Sequence, residues 1–184
     1  MHPISKIRKI YELKKIYRHN HVEKRNESSA EHTWSCLVLA DYLLSNEKTK
    51  LDRMKVLEIL LYHDLVEIEA GDIPIHHENK REKKKQKEAE ALKKLAEEIP
   101  DMIAKKFLSR FTEFEECNSP ESRFAKAVDG LDAMIHELDY KEDWKRWSEE
   151  MLRKFYEKKC HEFQATKELF EELVKFAKEN SYVN

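Results

Sequence analysis

Residues 52–72 read DRMKVLEILLYHDLVEIEAGD. Val56, Leu57, Leu60, Leu61, Leu65 and Ile68 recur at three- and four-residue steps, the period of a helix with one apolar face. Asp52 is placed to cap that helix and Gly71 to end it. His63 and Asp64 interrupt the apolar run, Glu67 follows one turn later on the face of His63, and Asp72 stands just past the glycine. An ionised carboxylate buried without a partner is very costly, so this histidine–aspartate pair demands a compensating positive charge. A divalent cation would supply one.

Working outward, the chain can furnish the rest of such a site. Ser28 and Glu31 have the spacing of a capping box ahead of a second helix, read along Ala30, Trp34, Leu37, Val38, Asp41 and Leu44, with His32 in its first turn. Ser119 and Pro120 have the N-cap and N1 signature of a later helix through Phe124, Ala127, Val128, Leu131, Met134, Ile135 and Leu138. That helix contains Asp129, followed by Gly130, a mid-helix glycine that costs about 1 kcal/mol against alanine and implies close approach of a neighbour. Two imidazoles and two carboxylates, His32, His63, Asp64 and Asp129, leave open positions on a divalent ion for water and phosphate oxygens. Glu67 and Asp72 could reach a substrate held there.

The remaining segments are also helical. Ile4, Ile7, Ile10, Tyr11, Leu13 and Tyr17 predict a first helix running into the polar stretch 18–26, which reads as a loop. Residues 79–98 form a charged, solvated helix, Pro100 starts another, and amphipathic segments at about 144–158 and 162–179 complete the chain. The aromatic residues Trp144, Trp147, Phe155 and Tyr156 fall at helical spacings that suit packing or a dimer surface better than base stacking, and they are read as packing residues. His76 and His77, in a loop after Pro74, read as solvent-exposed.

Composition narrows the class. With two glycines and four prolines in 184 residues, the chain has far too few turn formers for an all-β domain. The fold class is all-α, a compact single-domain helical bundle over 1–184, with a metal-site core at about 14–140 and C-terminal packing helices at about 141–180. Lys plus Arg, 35, nearly cancel Asp plus Glu, 37, which leaves no electrostatic footprint for a nucleic-acid polymer. Three scattered cysteines without metal-type spacing, and apolar runs too short to span a bilayer, lead to the expectation of a cytoplasmic protein with reduced thiols and no membrane partner.

Ala30-Glu31-His32-Thr33-Trp34, then Tyr62-His63-Asp64-Leu65-Val66-Glu67 leading into Gly71-Asp72-Ile73, then Lys126-Ala127-Val128-Asp129, together resemble the HD-domain superfamily in its order H…HD…D. Glu67, Gly71-Asp72-Ile73 and Arg25-Asn26-Glu27-Ser28 are similar to its 5′-deoxynucleotidase branch, which holds bacterial deoxyribonucleoside 5′-monophosphatases and their eukaryotic counterparts. The resemblance implies an HD-type bundle binding one divalent metal ion (Mn, Co, Ni, Zn, Fe or Mg) through His32, His63, Asp64 and Asp129. It further implies Glu67 and Asp72 as catalytic carboxylates, Arg18 and Arg25 as substrate-binding residues, a small-molecule nucleotide substrate and a homodimer. The expected reaction is hydrolysis of deoxyribonucleoside 5′-monophosphates to deoxynucleoside and phosphate. His19 stands where the bacterial enzymes have tryptophan, so another phosphate ester (a cyclic nucleotide, a nucleoside triphosphate or a guanosine polyphosphate) stays open, as does a non-catalytic, metal-stabilised helical module.

Overall fold

The computed structural model describes residues 2–72 and 81–183; His76 and His77 lie outside the described residues. Helix α1 (Pro3–Ile10) starts at His2, whose Nδ1 accepts from the Ile4 amide at 3.3 Å, and tightens into a 3₁₀ turn over Tyr11–Lys15. The chain then becomes extended. The stretch read as a loop is instead a hairpin, β1 (Tyr17–Val22) paired antiparallel with β2 (Arg25–Ser28), and Glu23 takes a φ of 55° in the connection. No apolar alternation announces these strands because little in them is buried. The hairpin is tied down by the end of a distant helix: the Tyr140 hydroxyl accepts from the Glu23 amide at 2.6 Å, His136 Nε2 lies 2.6 Å from the His21 carbonyl, and Asn20 donates to Glu137 at 3.1 Å.

Helix α2 (Ser29–Asn46) begins with the expected capping box between Ser28 and Glu31. Its buried face, however, consists of His32, Thr33, Cys36, Ala40 and Leu43, whereas Trp34, Val38 and Tyr42 are 68%, 52% and 61% exposed. The row of large apolar residues is therefore largely turned outward, and small side chains let α2 approach α3 (Arg53–Tyr62) and α7 (Pro120–His136). The helix expected to run unbroken from Asp52 to Gly71 also differs. It stops at Tyr62, turns through residues 63–66, and resumes as α4 (Glu67–Ala70). Three-residue hydrogen bonds such as Leu65 N–H to Tyr62 O and Glu67 N–H to Asp64 O carry the chain through that turn. Gly71, at φ 73° and ψ 160°, ends α4 in a region open essentially to glycine alone.

Helices α5 (Arg81–Glu98) and α6 (Asp101–Glu116) follow, and Cys117, left-handed at φ 51°, turns the chain toward Ser119, which caps α7 as expected. After α7 a 3₁₀ turn (Asp143–Arg146) leads to α8 (Glu149–Leu152), a π-helical turn (Arg153–Glu157), α9 (Lys158–Cys160) and α10 (Gln164–Glu179). Two apolar clusters result. The larger gathers α2, α3, α7 and α10 with Trp144, Phe124 and Phe170, while the smaller joins Leu13 and Leu65 to α5 and α6 through Leu95, Ile99 and Phe107. The α3–α4 turn lies where the clusters meet. Among the described residues no helix is long and apolar enough to cross a membrane.

Glu31 both caps α2 and grips the hairpin, since its carboxylate receives Arg25 at 2.6 and 2.8 Å and the Ser28 amide at 2.9 Å. Those partners, Arg25 foremost, pull its pKa from 4.5 down to about 2. A carboxylate depressed on folding stabilises above its unfolded pKa and ceases to do so as pH falls through the folded one. Thermal unfolding of Glu31→Gln should therefore show a lower midpoint than the parent at pH 7, with the difference shrinking between about pH 4.5 and pH 2.

Candidate metal centre

Three elements converge on one buried point: the first turn of α2 brings His32, the α3–α4 turn brings His63 and Asp64, and the middle of α7 brings Asp129. His32 Nε2 stands 3.1 Å from Asp129 Oδ1 and 3.8 Å from Asp64 Oδ2. His63 Nε2 stands 3.2 Å from Asp64 Oδ1 and 4.0 Å from Asp129 Oδ1. All four residues read from the sequence as ligands are thus neighbours.

Both imidazoles are held from behind. His63 Nδ1–H donates to the Leu60 carbonyl at 2.7 Å, which puts the lone pair on Nε2, and that buried nitrogen has no hydrogen-bond partner among the described residues. His32 Nδ1 is 2.8 Å from Asp132, whose carboxylate also accepts from Ser35 at 2.9 Å, so its Nε2 likewise faces the cluster. Fixing one ring nitrogen and presenting the other is how proteins orient imidazole ligands to metals. Asp132 escaped the sequence reading, although a second aspartate one turn after Asp129 in an apolar helix was a usable signal.

The electrostatics agree with a missing positive charge. Burial opposes ionisation of Asp129, yet the hydrogen bond from His32 and the nearby His63 ring hold its carboxyl well below the usual range. Burial likewise opposes a charge on His32, but Cys36, Asp129 and Asp132 raise its pKa well above the ordinary histidine value. The cluster therefore favours positive charge among the ligand atoms, at a point a divalent cation would suit. Cys36 Sγ belongs to the same cluster, but it lies 3.7 and 3.6 Å from the two nitrogens of His32, over the ring's face. We read it as a packing thiol, and burial pushes its pKa to about 12.

The centre opens into a cavity of about 250 Å³, small for a ligand pocket. Glu67 lines it, accepts from the Ser29 hydroxyl at 2.6 Å, and is pushed up to about 9 by burial and then by the charge of Asp64. Asp72 lines the same cavity. Arg18, on β1 and largely buried, approaches Asp64 at 3.3 Å and Glu27 at 3.4 Å; its Nε, like His63 Nε2, is a buried side-chain atom without a hydrogen-bond partner among the described residues. Arg25 is not brought to the cavity, because Glu31 holds its guanidinium at the outer end of the hairpin.

Sequence reasoning also missed several neighbours. Glu27 and Ser29 position Arg18 and Glu67, and Lys126, 2.8 Å from Glu115, lines the cavity. Trp147 and Tyr156, read as packing residues, line it as well, since helical aromatic spacing looks the same for a core face and a pocket wall.

Residues 10–170 match the family model described as HD domain. The chain is similar to 5′-deoxynucleotidase HDDC2 of Bos taurus, 27% identical over 139 residues, covering 74% of this chain and 66% of that protein. The Xenopus laevis protein of the same name is 30% identical over 131 residues, covering 71% of this chain and 62% of its own. The chain thus spans under two thirds of the length of these relatives. A structure described as a predicted metal-dependent phosphohydrolase, from Magnetospirillum magnetotacticum MS-1, is similar at TM-score 0.84 and 26% identity, covering 98% of this chain and 95% of that one. A conserved hypothetical protein from Pyrococcus furiosus shares the fold at TM-score 0.72 and 24% identity, covering 94% of this chain and 99% of that one.

Asp132→Asn keeps the size of the side chain while weakening the orientation of His32. Calorimetric titration of chelator-stripped protein with manganese should show affinity roughly ten- to hundredfold below the parent. Equal affinity would mean that Asp132 does not support the ligand.

Proposed function

The chain belongs to the HD-domain family, and from that premise we propose that it is a metal-dependent phosphohydrolase acting on deoxyribonucleoside 5′-monophosphates, with deoxynucleoside and orthophosphate as products. The observation that carries the metal requirement is His63 Nε2, buried, without a hydrogen-bond partner among the described residues and tautomerically fixed beside Asp64 and Asp129. The names of the similar proteins support the nucleotide monoester as substrate.

In this reading His32, His63, Asp64 and Asp129 hold one divalent cation, drawn from Mn, Co, Ni, Zn, Fe and Mg, all of which such nitrogen and oxygen donors accommodate to differing degrees. A bound ion would supply Lewis acidity for hydrolysis of the phosphate ester. Arg18 offers its guanidinium to the phosphate, and the fork geometry of that group suits two phosphate oxygens at once. Glu27 steadies Arg18 from its far side.

Glu67 is the base in the scheme. Its carboxylate is anchored by Ser29 and faces the cavity, so it can take a proton from an attacking water once ionised. Its raised pKa marks a carboxyl whose charge depends on compensation nearby. Asp72 stands at the same cavity and holds the water or the departing 5′-oxygen by hydrogen bonding. The exposed row of Trp34, Val38 and Tyr42 supports the homodimer as part of this reading.

Phosphate release should be measured from deoxyribonucleoside and ribonucleoside 5′-monophosphates, using chelator-stripped protein resupplied with each cation in turn. Release should return with metal and favour the deoxy substrates. Asp64→Asn should reduce it by about a hundredfold or more, and Arg18→Gln should raise KM by about tenfold. Absence of release with every cation, or tripolyphosphate from nucleoside triphosphates as the main product, would contradict the assignment.

A further inference from the structure

The cavity wall is chemically mixed. Its lining is polar or charged at His63, Asp64, Asp129, Arg18 and Glu137, and it includes Ala133 and Met134 of α7 and, from the segment after that helix, Trp147 and Tyr156. Ala133 lies four residues past Asp129, about 6 Å along the helix axis. That is the order of the step from a 5′-phosphorus to the sugar–base bond, so a nucleotide with its phosphate at the metal centre can bring its base within the reach of this lining.

The chain departs from regular structure to place Tyr156 there. Residues Arg153–Glu157 form a π-helical turn between α8 and α9, a device that re-aims side chains and recurs at functional sites. The ring lies against Gly130, where an added Cβ would stand 2.9 Å from both Cδ1 and Cε1 of Tyr156. The glycine directly after Asp129 therefore makes room for this tyrosine. The indole of Trp147 continues the wall, its ring centroid 6.1 Å from that of Tyr156 at an interplanar angle of 46°. Burial pushes the Tyr156 hydroxyl up to about 12, so it stays uncharged and adds no repulsion toward a phosphate.

We propose that Tyr156 and Trp147 form the wall on which the base of a nucleoside 5′-monophosphate stacks, making the segment after α7 the source of preference for nucleotides over base-free phosphate esters. The inference rests on the phosphohydrolase reading for the position of the phosphate. Every base has a π face, so a stacking wall gives affinity for nucleotides in general with little discrimination among bases. No hydrogen-bonding group is needed to read the base edge.

The test is equilibrium binding to manganese-loaded protein of two hydrolysis-resistant methylenephosphonates, one the analogue of deoxyadenosine 5′-monophosphate and the other of base-free deoxyribose 5-phosphate. The parent should prefer the nucleotide analogue by roughly tenfold or more, the order expected of base–aromatic stacking. Tyr156→Leu and Trp147→Leu should each reduce that preference to within about twofold, while affinity for the base-free analogue changes little. Gly130→Ala, which forces the tyrosine ring to shift, should lower it too and provides a check should Tyr156→Leu fold poorly. A parent without preference, or variants that keep it, would overturn the proposal. Phosphate release from the hydrolysable nucleotide, assayed on the same protein, reports separately on the nucleotidase reading: its absence alongside an intact, wall-dependent preference would remove that reading and leave the base site standing.

Discussion

His63 gives its Nδ1 hydrogen to the Leu60 carbonyl, and the nitrogen left over points into a buried space shared with two carboxylates and a second imidazole. Water cannot solvate that space freely, and leaving a buried polar group unsatisfied carries a desolvation cost. Two helices and the turn between α3 and α4 nevertheless commit chemistry-bearing side chains to it. Such a concentration of buried imidazoles and carboxylates is held together by packing elsewhere and is suited to a ligand that offsets its negative charge. The two apolar clusters supply the packing, and a divalent cation would supply the offset.

This constraint accounts for the backbone around it. An unbroken helix through residues 52–71 would distribute His63, Asp64 and Glu67 along the ordinary helical screw. The turn at 63–66 instead places His63 and Asp64 together at the meeting of the clusters and restarts the chain so that Glu67 meets Ser29. The hairpin serves the same centre from outside. It carries Arg18 over Asp64, and its own attachment to the end of α7 through Tyr140, His136 and Glu137 couples that arginine to the helix that bears Asp129.

Much of this was legible in the sequence, for reasons that differ residue by residue. Helices bounded by caps were readable because Ser28, Asp52 and Ser119 satisfy amides locally, as the structure shows. The polar residues His63, Asp64 and Asp129 stood out because each interrupts an apolar period. The outward turn of Trp34 was not legible, since periodicity reports that a face exists and a large residue outweighs small ones such as Cys36 and Ala40 that allow close packing. Nor was the hairpin, whose strands lack alternation and depend on partners more than a hundred residues away. Asp132 and Tyr156 required the third dimension, one to show which ring it braces and the other to show what fills the space above Gly130.

The most direct measurement is X-ray absorption spectroscopy at the cobalt edge on stripped protein reloaded with one equivalent of cobalt. The account predicts a light-atom nitrogen and oxygen shell with the outer-shell scattering of two imidazoles, reduced to one imidazole in His63→Gln. A sulfur neighbour, which would bring Cys36 into the shell, or an identical spectrum in His63→Gln, would contradict the assignment of this pocket.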